Sequence, residues 1–130
     1  MIRFAKSSFA LTSLVALSLA LPACSSTSSA PAETLPATTD LEVRAIAGLK
    51  FDKTSYEVAA GDTEIGYVND DTIRHTLVVV QDGTKVSGFE LKVNKKGAID
   101  SGSVTLAAGT YVLMCTVPGH QNMKADLTVK

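Results

Sequence analysis

The chain has 130 residues, 45% hydrophobic and 19% charged, with 12 basic against 13 acidic side chains and a pI near 6.1. That balance fits a globular protein rather than a disordered or collagen-like one, and the lack of a global positive field excludes nucleic acid as a partner. Two cysteines far apart exclude a disulfide-dense scaffold and any four-cysteine zinc or iron–sulfur site.

Met1 to Lys6 carries two positive charges, and no acidic residue precedes Glu33. Phe9 to Leu21 follows as an apolar run of 13 residues. A membrane-spanning helix needs about 20 such residues, so the run reads as the core of a secretory signal. It ends in Leu21-Pro22-Ala23-Cys24, which resembles the bacterial lipobox: an aliphatic residue, two small or permitted residues, then cysteine. The resemblance implies a lipoprotein signal peptide over residues 1–23, cleavage before Cys24 and lipidation of the Cys24 thiol. The protein is then exported and anchored to a cell-envelope membrane, its domain facing the periplasm or the exterior. A plain signal peptide cut near Ala20 or Ala23 is the alternative, and would leave Cys24 a spare thiol. Loss of Arg3 and Lys6 with the signal leaves ten basic side chains against the same 13 acidic ones, a mildly acidic mature chain.

Residues 24–40 are small, polar and punctuated by proline. Such a stretch buries too little apolar surface to offset the entropy of ordering it, and is expected to act as a flexible tether. Residues 41–130 show strand-like alternation instead. Tyr111, Leu113 and Cys115 share one face, as do Ala125, Leu127 and Val129. Further strands are expected at Glu42–Ala47, Tyr56–Ala59, Glu64–Val68, Thr76–Gln81, Phe89–Val93 and Val104–Leu106, separated by turn signals such as Ala60-Gly61-Asp62, Lys95-Lys96-Gly97 and Ala107-Ala108-Gly109. Residues 82–102 carry the weakest pattern, compatible with a short helix or an irregular loop. No window carries a helical stripe. Seven or eight short strands at this spacing predict an all-β fold, a Greek-key antiparallel β-sandwich.

With Cys24 lipidated, Cys115 is the remaining thiol of an exported protein, where cysteines normally pair. Such a thiol is either reactive or a metal ligand. His120 follows five positions later, then Met123, and His75 stands at the mouth of the strand Thr76–Gln81. A thiolate, two imidazoles and a thioether form the soft donor set that selects copper. Thr116-Val117-Pro118-Gly119 can turn the chain and bring His120 back beside the sulfur.

The run Gly109-Thr-Tyr111-Val-Leu-Met-Cys115-Thr-Val-Pro118-Gly119-His120-Gln-Asn-Met123 resembles the ligand loop of cupredoxins, the plastocyanin/azurin-type blue copper proteins. Val68-Asn69-Asp70-Asp71-Thr72-Ile73-Arg74-His75 resembles their first ligand segment. The resemblance implies one type 1 copper ion held by His75, Cys115 and His120 with Met123 axial, and a role as a one-electron carrier whose electrons leave through His120. Asn69, Thr76 and Thr116 are expected just behind the ligands. Two features depart from the family. Two residues separate His120 from Met123 where three or four are common, and Thr76 stands where many relatives have asparagine. The expected partners are redox proteins of the cell envelope, met by a monomer. An envelope copper-binding or copper-delivery lipoprotein is the nearest alternative. A hydrolase using Cys115 and a histidine lacks a characteristic nucleophile motif, so no enzymatic activity is expected.

Overall fold

The computed structural model describes residues 33–130. The signal peptide of residues 1–23, Cys24 and the first part of the tether, residues 24–32, lie outside the described residues. Two-residue alternation becomes strand at each expected segment, although the one expected at Phe89–Val93 begins only at Leu91. The first strand, β1 (Leu41–Ile46), buries Leu41, Val43 and Ala45 and exposes Glu42. In β10 (Lys124–Val129) Ala125, Leu127 and Val129 face inward while Lys124 and Asp126 face solvent. Between them run β2 (Lys50–Phe51), β3 (Ser55–Val58), β4 (Gly61–Asn69), β5 (His75–Gln81), β6 (Thr84–Lys85), β7 (Leu91–Val93), β8 (Ile99–Leu106) and β9 (Gly109–Met114). No helix occurs among the described residues.

The strands form two facing sheets, a Greek-key sandwich. One has the order β2-β1-β4-β8 and the other β3-β10-β9-β5-β6, with β7 also paired to β5. The inward residues, among them Val43, Ile65, Tyr67, Leu77, Val79, Leu113 and Leu127, make one continuous core. Each such large side chain contributes roughly 1.5–3 kcal/mol by leaving water.

The sandwich differs from its expected form in three respects. Its sheets are mixed rather than wholly antiparallel, because β1 lies parallel to β4 and β3 parallel to β10. The chain leaves β1 through the β2 hairpin, crosses to the second sheet as β3 and only then returns as β4, and that crossover imposes the parallel pairing. Second, β2 and β6 are two-residue edge pairings, too short to leave a periodic trace. Third, the weakly patterned stretch is neither helical nor wholly irregular. β8 begins at Ile99, and Asp100-Ser101-Gly102-Ser103 pairs with Glu64–Tyr67 of β4. These polar residues form strand because their outward side chains find cross-strand partners, as Ser103 with Glu64 and Thr105 with Asp62. Gly102 leaves room for Leu91, whose Cδ2 would stand 3.3 Å from any Cβ added there.

Residues 35–40 lie against the domain. The Asp40 amide donates to the Glu64 carbonyl, and the Glu64 amide donates to the Asp40 carboxylate. Leu35 and Thr39 sit directly over Gly66.

Candidate metal centre

Three loops meet at one end of the sandwich: the connection from β4 to β5, the turn from β7 to β8, and residues 115–123 between β9 and β10. Strand register aligns them. The antiparallel pairing that sets Val78 opposite Met114 carries Thr76, two residues on, to Thr116. Cys115 continues the inward face of Tyr111 and Leu113 and is 2% exposed. The chain then reverses, with the His120 amide donating to the Val117 carbonyl at 2.9 Å and Gly119 taking φ +89°, where a glycine is favoured. The loop closes when the Met123 amide donates to the His120 carbonyl (2.8 Å) and the Cys115 amide to the Met123 carbonyl (3.1 Å).

This folding brings three of the four sequence-predicted ligands together. One donor atom each of His75, Cys115 and His120 lies within 4.8 Å of the others. His120 Nδ1 is 3.6 Å from Cys115 Sγ, and the two imidazole centroids are 5.0 Å apart. His75 and Cys115 are buried, whereas His120 is half-exposed. Met123 is fully buried in the apolar core beside the same loop. Its backbone closes the loop.

The residues expected behind the ligands surround them. The Thr76 amide donates to Cys115 Sγ at 3.4 Å. Thr76 Oγ1 lies 3.6 Å from that sulfur, accepts from the Thr116 amide at 2.8 Å and meets the Thr116 hydroxyl at 2.8 Å. A threonine therefore ties the two ligand loops together in the position where relatives use asparagine. Asn69 is buried and holds the first loop in shape: its amide nitrogen donates to the carbonyls of Ile73 and Val93, and its oxygen accepts from the Asp71 amide.

Asp71 was not singled out from sequence. Its Oδ2 lies 3.1 Å from Nε2 of His75. The Thr72 amide and His75 together hold the Asp71 carboxyl below the usual carboxylate range, so it is ionised and accepts only. Nε2 of His75 is therefore the donor in that contact, and Nδ1 is the ring nitrogen whose lone pair a metal would use. The signal was present as an aspartate four residues before a histidine, but nothing in sequence distinguishes Asp71 from Asp70. The latter instead takes a two-point contact from Arg44, at 2.6 and 2.9 Å.

The lone pair provides the test of metal fit. Nδ1 of His75 is enclosed and has no hydrogen-bond partner. Leaving such an atom unsatisfied costs roughly 1–3 kcal/mol. It faces a thiol and a second imidazole, and that donor set suits copper. Burial above all pushes the His120 pKa below its ordinary value, which favours the neutral ring that can offer a lone pair to a metal near neutral pH.

A two-sheet sandwich with a thiol and two imidazoles clustered between its end loops is the architecture of a copper protein. Residues 37–130 match the model of the copper binding proteins of the plastocyanin/azurin family, and the chain belongs to that family. The cofactor is one type 1 copper ion, and family members are generally electron carriers. Among solved structures, the dithionite-reduced auracyanin of the photosynthetic bacterium Roseiflexus castenholzii aligns with a TM-score of 0.60 at 22% identity, covering 74% of this chain and 99% of that one. Auracyanin B aligns at 27% identity with a TM-score of 0.56, over 75% of this chain and 92% of the other. A reduced Cu(I) form of an amicyanin variant aligns at 24% identity and 0.54, over 76% and 88%. A search of curated protein sequences finds no match.

Proposed function

We propose that this protein is a one-electron carrier of the cell envelope, with copper held by His75, Cys115 and His120 and with Met123 as the axial ligand. The observation that carries the reading is the convergence of the three donor atoms around a buried, unpartnered imidazole nitrogen. Copper bound there supplies one-electron exchange between Cu(II) and Cu(I). The chain's own contribution is rigidity. His75 is fixed by Asp71, Cys115 by the Thr76 amide, and the Thr76–Thr116 contact holds the two loops in register. Fixed ligands keep geometric change between the two oxidation states small, which is what fast electron exchange requires. The half-exposed His120 supports its role as the route for electrons. Anchoring through a lipidated Cys24 rests on the lipobox-like sequence.

A copper-delivery role predicts a labile site, and the burial of His75 and Cys115 favours retention. Voltammetry and a chelator competition separate the two. A carrier gives a reversible one-electron wave at one copper per chain and keeps Cu(I) against bicinchoninate. Rapid surrender of Cu(I) to the chelator without a reversible wave would contradict the carrier reading.

A further inference from the structure

Residues 33–130 hold an excess of acid, ten basic side chains against 13 acidic, yet the charge is not evenly spread. Lys50, Arg74, Lys95, Lys96 and Lys124 stand in the loops or first strand residues of the end that carries the metal centre, and all five are exposed. None makes an ion pair among the described residues. Three acids near the same end are already engaged by cations or by a ligand: Asp70 is bound by Arg44, Asp71 is held against His75, and Glu90 is bridged by Lys85 and Lys92. Asp52 and Asp100 accept hydrogen bonds and meet no cation among the described residues, which leaves the five free cations in excess. At the opposite end Asp62 and Asp82 lie at the start of β4 and after β5.

The free cations are close to the copper ligands. Arg74 lines one groove with Thr76, Thr116 and Val117. The Gly97 amide donates to the Asn69 carbonyl, which holds the Lys95–Gly97 turn against the base of the first ligand loop. Within this rim stands Ile73, 44% exposed, the large hydrophobic side chain left in solvent among the described residues.

We infer that the metal end is a docking face for the acidic surface of a one-electron redox protein, with the free cations steering the approach and Ile73, two residues before His75, giving apolar contact. The inference rests on the electron-carrier reading and names the kind of partner that reading requires. A positive face on a net-negative chain orients an acidic partner toward the ligand that reaches solvent. A lipid surface laid over the same rim would instead cover His120, which argues for a protein occupant.

Small redox ions of opposite charge test this on the reduced, copper-loaded protein. In each reaction one electron leaves the protein: hexacyanoferrate(III) becomes hexacyanoferrate(II), or tris(phenanthroline)cobalt(III) becomes the cobalt(II) complex. Oxidation by the anion is expected to be fast at low ionic strength and to slow as salt is added, although net charge alone dictates the reverse. Reversing both Lys95→Glu and Lys96→Glu, which hold no ligand, is expected to slow the anion about tenfold and to leave the blue absorption in place. If the cationic complex is the one favoured at low salt, the docking face is overturned while the carrier reading stands. If neither ion exchanges electrons, the carrier reading itself falls. Salt-independent rates, together with sedimentation of the protein on phosphatidylglycerol vesicles, would assign the rim to lipid and overturn the proposal.

Discussion

His75 shows how much of the site is decided by single atoms. Its Nε2 is committed to Asp71, so its Nδ1 has no alternative use in the buried loop cluster. A carboxylate on the far side of an imidazole ligand makes that ligand a stronger donor and favours the more highly charged metal state. Asp71→Asn keeps a hydrogen-bonding group but removes the charge. It is expected to preserve the blue absorption and raise the reduction potential, by about 59 mV for each tenfold loss of preference for Cu(II) over Cu(I); an unchanged potential in spectroelectrochemistry would show that the charge is not felt. Met123 fills the core, and the proposed copper site would also use its thioether; the two roles are separable. Met123→Leu conserves volume, so the copper-free protein should lose less than about 1.5 kcal/mol in urea unfolding. A shifted potential or visible spectrum in the copper-loaded variant then reports the thioether, and identical spectra would remove Met123 from the ligand set. The Cys115, His120 and Met123 spacing is legible in sequence because one loop carries all three. The Asp71 contact is not, because it depends on which of two adjacent aspartates the Asn69-built turn points inward.

The β4–β5 connection is the element that presents His75, and it is pinned from outside by Arg44 of β1 reaching Asp70. That guanidinium holds the Asp70 carboxyl below its ordinary value. A depressed carboxylate stabilises the folded state above its unfolded pKa of about 3.9, and the contribution is lost as pH falls through the lower folded value. Both groups are well exposed, so the pair is expected to contribute about 0.2–1 kcal/mol at neutral pH. Asp70→Asn should flatten that part of the acid unfolding curve, as read by circular dichroism; an unaltered curve would mean the pair is energetically silent. On the other face of β4, Gly66 seats Leu35, whose Cδ2 would come within 2.5 Å of an added Cβ. Leu35 is a side-chain tip on an edge segment, so it moves before the strand does. Gly66→Ala is therefore expected to free residues 34–39 to proteolysis while the sandwich stays folded, and an unchanged cleavage pattern would refute that seating. Composition alone assigns these residues to the tether. Sequence cannot show a single leucine finding a glycine-sized gap between neighbouring strands.

At the scale of the molecule, alternation along Leu41–Ile46, Gly109–Met114 and Lys124–Val129 makes two apolar faces that have to meet, and that much of the fold is legible residue by residue. Which strands become neighbours is not, since the parallel placement of β1 on β4 and of β3 on β10 follows from crossovers that leave no local pattern. The sandwich matters functionally because β5 and β9, paired at Val78 and Met114, deliver a histidine and a cysteine from distant parts of the chain to the same few ångströms. Addition of Cu(II) to the purified protein, followed by visible and electron paramagnetic resonance spectra, tests that convergence most directly. One equivalent should produce an intense sulfur-to-copper charge-transfer band in the orange-red and a narrow copper hyperfine pattern, both lost in Cys115→Ser. A colourless protein, or a weak band with the wide hyperfine splitting of copper bound by nitrogen and oxygen alone, would contradict it.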